Sequence, residues 1–132
     1  MKFMVLQAYG GVTRDVPPMG EWTPEAIEAH IKFQKDLNAE LQERGELVDA
    51  QGLATPELAK FVVSNGAAAP LVTDGPFPES KELLAGYRVI DVESTERALE
   101  IAAQVSAAPA HDGAPIEQSI EVRQVMGPPI ED

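Results

Sequence analysis

The sequence predicts an α+β fold, a ferredoxin-like sandwich in which an antiparallel sheet carries two helices on one face and an inserted β-hairpin. Three observations lead there. The periodic segments run strand, helix, strand, hairpin, strand, helix, strand, which is two split βαβ units in tandem. At 132 residues, residues 1–132 make a single domain, able to bury roughly two-thirds of the surface its unfolded form exposes. The first segment, Lys2 to Tyr9, is largely apolar at odd and even positions alike, as a strand is when something packs on both faces of its sheet. Two helices on one face leave the other bare, so the same pattern predicts a homodimer that packs sheet against sheet.

Each element has a local cause. In the first strand Phe3 and Val5 alternate with Met4, Leu6 and Ala8; Gly10 and Gly11 are expected to end it, and Val12 to Gly20, with Arg14, Asp15, Pro17 and Pro18, reads as a loop. Thr23-Pro24-Glu25 starts a helix, with a capping hydroxyl, a proline whose missing N–H does no harm there, and an acid in the first turn. That helix is expected to reach Arg44 and stop at Gly45. It buries Ala26, His30, Phe33, Leu37 and Leu41 and turns Glu28, Lys32, Asp36, Glu40 and Arg44 to water as i,i+4 neighbours.

Glu46 to Gln51 follows as a short strand, and Leu58 to Asn65 with Pro70 to Thr73 forms a hairpin around Asn65-Gly66. Leu84 to Val92 is a strand rich in β-branched and aromatic residues, with Gly86 where a backbone or ligand comes close. Ser94 caps a second helix whose Ala98, Ile101, Ala102 and Val105 share one face. Ala107 to Pro115 is a loop in which His111 and Asp112 are expected to be exposed, and Ser119 to Met126 is the last strand.

Composition excludes several functions. Lys and Arg number 10 against 22 Asp and Glu, a net charge of -12, so neither nucleic acid nor an anionic membrane is an expected partner. The apolar start breaks at Gln7, short of a signal-peptide core and of the roughly 20 residues that a spanning helix needs, and a cytoplasmic location is expected. Cysteine is absent, which excludes disulfides and thiolate catalysis. His30 and His111 lack the i,i+3 or i,i+4 spacing of a metal pair, so no metal and no cofactor is expected. Gly10-Gly11 lacks the surroundings of a phosphate cradle, and Ser64, Ser80 and Ser106 lie outside any nucleophile elbow.

The stretch from Leu71 to Glu82 stands out. Asp74-Gly75-Pro76-Phe77-Pro78 forces a fixed bend, because proline pins its own backbone and restricts the residue before it, and Glu79, Lys81 and Glu82 follow at once. Each residue there has two readings. Asp74 either accepts backbone hydrogen bonds as an Asx-turn or faces a ligand. Phe77 plugs the core or the dimer seam, or else stacks on a ligand. Glu79, Lys81 and Glu82 form a solvated run or rim a pocket. Trp22 either staples the first helix or walls the same pocket, and Arg14 reaches it from the loop after the first strand. His30 is a packed core histidine or a catalytic base.

Asp74-Gly75-Pro76-Phe77, the following Glu79-Ser80-Lys81-Glu82 and Gly86-Tyr87-Arg88-Val89-Ile90-Asp91-Val92 resemble the DGPF-domain branch of the YCII-related family. Glu46-Leu47-Val48-Asp49-Ala50-Gln51-Gly52-Leu53 and Ile120-Glu121-Val122-Arg123 extend the resemblance over nearly the whole chain. It implies a dimeric α+β barrel and a pocket at the Asp-Gly-Pro-Phe turn, and a histidine and aspartate pair as acid–base machinery, here His30 and Asp74. A carboxylate beside an imidazole fixes its tautomer and stabilises the imidazolium, so such a pair can remove a proton beside a carbonyl. The expected function is therefore an acid–base enzyme acting on a small organic molecule, or a non-catalytic ligand-binding or regulatory protein using the same pocket.

Overall fold

The computed structural model describes residues 1–12, 14–75 and 83–129. In chain order its elements are β1 (Lys2–Val12), α1 (Pro24–Glu43), β2 (Leu47–Gly52), β3 (Lys60–Val63), β4 (Leu71–Asp74), β5 (Leu83–Asp91), α2 (Thr95–Ser106) and β6 (Gln118–Gln124). Single 3-10 turns lie at Met19–Glu21 and Pro56–Leu58. The main sheet is antiparallel with order β2-β5-β1-β6, the order in which two split βαβ units interleave. The chain thus has the mixed α+β architecture that its pattern predicts.

The helices begin and end where their caps dictate. The Thr23 hydroxyl accepts from Ala26 N at 3.1 Å, and the Ser94 hydroxyl accepts from Arg97 N at 3.1 Å. Gly45 takes φ 73°, which lets Gly45 N reach Gln42 O at 3.0 Å and Glu46 N reach Leu41 O at 2.8 Å. This double return satisfies the last carbonyls of α1 and turns the chain into β2.

Both helices lie on one face of the sheet, because one core joins Phe3, Val5, Ile90 and Val92 to Leu37 and Leu41 of α1 and to Ala98, Ile101, Ala102 and Val105 of α2. Register explains the choice of face. Phe3 pairs with Ile90 and Val5 with both Arg88 and Val122, so these positions point together into the core. Met4, Leu6, Tyr87 and Val89 alternate to the opposite face and stay half-buried there. A second, smaller core gathers Trp22, Ala108, Ala110 and Ile116, with Val12, Val16 and Ile27 packed against it. It closes the end of the layer where the loops after β1 and α2 meet.

Three elements differ from the sequence expectation by more than one residue. β1 does not end at Gly10-Gly11 but continues to Val12, which pairs with Gln118 after a shift in register. Ladder bonds to a neighbouring strand outweigh the entropy that glycine loses in an extended chain. Leu58 belongs to a 3-10 turn, and the hairpin strands are only four residues each, forming a separate two-stranded sheet. The last strand stops at Gln124 and not at Met126. Among the described residues no helix is long and apolar enough to cross a membrane.

Candidate functional site

A cleft of about 1020 Å³ opens between α1 and the helix-covered face of the sheet, at the end where the loop after β1 folds over. Helical spacing supplies one wall. His30, Gln34 and Asn38 are successive i,i+4 neighbours on α1, above Leu37 and Leu41, which anchor the same helix in the core. The sheet supplies the floor through Gln7 of β1 and Gly86 and Arg88 of β5. Gly86 is required there: a Cβ on it would stand 2.8 Å from the backbone oxygen of Gln51, so only glycine lets β2 approach at this point.

Arg88 is the centre of the floor and is only 4% exposed. Its Nε donates to Asn38 Oδ1 at 2.7 Å, its Nη2 to Gln34 Oε1 at 2.7 Å and to Gln34 O at 3.3 Å, and its Nη1 to Gln7 Oε1 at 3.4 Å. Burial lowers the pKa of the guanidinium, although it stays charged at neutral pH.

This network orients His30. Because the guanidinium takes the amide oxygen of Gln34, the Gln34 nitrogen is the end that faces His30 Nε2, at 3.4 Å. On the other side His30 Nδ1 lies 2.9 Å from Pro109 O, a carbonyl that can only accept. The neutral ring therefore carries its proton on Nδ1 and its lone pair on Nε2, at the cleft wall. Trp22 packs edge-on to the ring with centroids 5.6 Å apart, and its own Nε1 donates to Pro17 O at 2.8 Å. Trp22 lines the cleft and also sits in the small core with Ile27 of the first helical turns.

The other expected site residues are distributed differently. Asp74 lies at the end of β4, exposed, and its carboxylate is bonded to Lys60 across the hairpin. His30 and Asp74 thus each take other partners, and the backbone carbonyl of Pro109 occupies the position on the imidazole that a carboxylate was expected to hold. Arg14 does line the cleft, but its donors are engaged: Nη1 and Nη2 grip Asp112 at 3.0 and 2.8 Å, and Nε donates to Pro115 O at 2.9 Å. This clamp holds the Asp112 carboxyl down at about 2 and draws the loop after β1 onto the loop after α2. Phe77, Glu79, Lys81 and Glu82 lie outside the described residues. His111 is half-buried and not exposed, its ring tilted 6.4 Å from that of Trp22. Among the described residues no three His, Asp or Glu side chains converge as a metal site would require.

Sequence reasoning passed over Arg88, Gln34, Asn38 and Gln7. The signal for Arg88 was its parity with Ile90: two residues apart on a strand, both face the core, and an arginine there needs an explanation.

Fold and cleft together define a small α+β domain with a ligand-sized recess between its first helix and its sheet. The YCII-related domain matches residues 1–125, and the chain belongs to the YCII-related family. It is also similar to an uncharacterized protein of Rhizobium meliloti (strain 1021), with 32% identity over 85 residues that cover 64% of this chain and 68% of that relative.

Proposed function

We propose that this protein takes up a small organic molecule in the cleft and that His30 is its acid–base group. The observation that carries this reading is the run of hydrogen bonds from Arg88 through Gln34 to His30 and on to Pro109 O, which leaves the imidazole lone pair on Nε2 at the cleft wall. The contact from Gln34 is long at 3.4 Å, so a ligand proton can displace it. Orientation by a main-chain carbonyl serves the same end as orientation by a carboxylate, fixing the tautomer that accepts at Nε2. The Asp74-Gly75-Pro76-Phe77 signature in the sequence supports a place in the DGPF branch of the family.

A screen of small carbonyl compounds for proton exchange or elimination tests the catalytic reading. His30→Asn, whose amide stands where Nδ1 does and can still donate to Pro109 O, is expected to lower turnover roughly 100- to 10,000-fold while the melting temperature stays within a few degrees. If ligands bind and nothing turns over in the unaltered protein, the cleft is a non-catalytic binding site.

The outward face of the sheet supports a homodimer, since Met4, Leu6, Tyr87 and Val89 form an apolar strip that alternates away from both helices. Leu6→Glu is expected to convert the dimer to a monomer in sedimentation equilibrium; a monomeric unaltered protein at micromolar concentration removes the proposal.

A further inference from the structure

Of the five arginines in the chain, four have a carboxylate partner: Arg14 with Asp112, Arg44 with Glu46, Arg97 with Glu46 and Glu100, and Arg123 with Glu121. Those four side chains are 13% exposed or more, and they sit where water also helps. Arg88 is the exception. It is the most deeply buried of them, at 4% exposure, and among the described residues it touches only neutral oxygens, from Asn38, Gln34 and Gln7. Counter-charge is not scarce in a chain with 22 acids and a net charge of -12. A buried cation without an anion is costly, and buried charges in folded proteins are as a rule paired.

The neighbours of Arg88 are arranged for an incoming anion. Since the guanidinium takes the amide oxygens of Gln7 and Asn38, the NH₂ ends of both side chains point away from it, and neither has an acceptor among the described residues. Both residues are half-buried and line the cleft. Nη1 of Arg88 spends one hydrogen on a long bond of 3.4 Å to Gln7 and has a second to give. The floor therefore presents a set of N–H donors and one positive charge. One guanidinium with two flanking amides matches a carboxylate, which accepts through two coplanar oxygens. A phosphoryl dianion would call for more positive charge than one arginine supplies.

We infer that the cleft floor at Arg88 is a carboxylate-binding subsite and that the protein's ligand is a small organic acid, its carboxylate supplying the missing counter-charge while the rest of the molecule lies toward His30 and Trp22. This rests on the reading of the cleft as a ligand site. The aromatic wall that Trp22 gives the cleft makes benzoate a suitable probe.

Three titrations followed by side-chain NMR test it: benzoate, its uncharged isostere benzamide, and inorganic phosphate. Benzoate is expected to shift the Arg88 Nε–H and the Asn38 and Gln7 amide resonances and to bind at least tenfold more tightly than benzamide or phosphate. Asn38→Asp places an internal carboxylate against Arg88 Nε without change of shape. It is expected to raise the melting temperature and to weaken benzoate at least tenfold, which a purely structural arginine would not do. Benzamide binding as tightly as benzoate, or Asn38→Asp leaving benzoate affinity unchanged, overturns the carboxylate subsite and leaves the cleft as a ligand site. Absence of any shift at Arg88, His30 and Trp22 with all three probes at high millimolar concentration overturns both. Phosphate binding more tightly than benzoate replaces the carboxylate with another anion and overturns the assignment.

Discussion

Gly86 shows how one missing atom shapes a site. Its place between Gln7 of β1 and Gly52 of β2 leaves no room for a side chain, and a methyl group there meets the Gln51 carbonyl at 2.8 Å. Gly86→Ala is expected to push β2 outward and to lower stability by about 1 to 3 kcal/mol, read from the midpoint of a urea titration. The same variant should also widen the cleft floor, so probe binding and stability would move together. Glycine within a strand pattern already pointed to a close approach here, and that part of the site was legible. Arg88 was passed over, because its parity with Ile90 marks a core position only once the partner strands fix which face carries the helices. Nor could the sequence indicate that Pro109, 79 residues beyond His30, would hold the imidazole. That contact depends on how the loop after α2 folds back, and no periodicity encodes it.

At the scale of elements, α1 was readable almost to the residue, since its limits are set by local chemistry: a Thr-Pro start and a glycine stop with positive φ. Strand ends were read less well. β1 continues past two glycines because Val12 beyond them pairs with Gln118 of β6, a partner more than 100 residues away in sequence. The hairpin β3–β4 is the element with the least support. Among the described residues its two four-residue strands pair only with each other, and Val62, Val63, Leu71 and Val72 are each more than half exposed. An isolated two-stranded ribbon is marginal in water. Amide hydrogen exchange in β3 and β4 is therefore expected to run at least about 100-fold faster than in β1 and β5, which the main sheet protects on both sides. Equal protection of all four strands would mean that the hairpin is covered in solution.

For the whole molecule, acid is the expected weakness. The Glu46 carboxylate is held below its ordinary range chiefly by its two hydrogen bonds from Arg97, both 2.9 Å, and Asp112 is held down at about 2 chiefly by Arg14. A carboxylate whose folded pKa is depressed stabilises the fold fully above its unfolded pKa, and that contribution is lost as pH falls through the folded value. Stability should thus be flat near neutrality and fall as the pH drops from about 4 toward 2, the ordinary carboxylate range and below. Unfolding by urea across that range measures it, and Asp112→Asn should flatten part of the slope. Glu46→Gln, in a pair more than four-fifths buried on both sides, is expected to cost about 2 kcal/mol at neutral pH, in the range for charge-assisted hydrogen bonds. Net charge works the other way, because protonating a chain at -12 first relieves self-repulsion. The two bridges tie separate parts of the chain together, α2 to the start of β2 and the loop after β1 to the loop before β6, so their loss loosens the layer at both ends.

The placement of β1 has a bearing on synthesis. Its neighbours on the sheet are β5 and β6, so the strand of this sheet that is made first is among the last to be satisfied. Some 70 residues separate the end of β1 from the start of β5, and at about 5 to 20 residues per second the nascent strand waits several seconds with both edges open. During that interval Phe3, Met4, Val5 and Leu6 are an apolar segment with no sheet to join, one that a chaperone can hold. Release must be late, since the sheet closes around β1 only when the last strand has arrived.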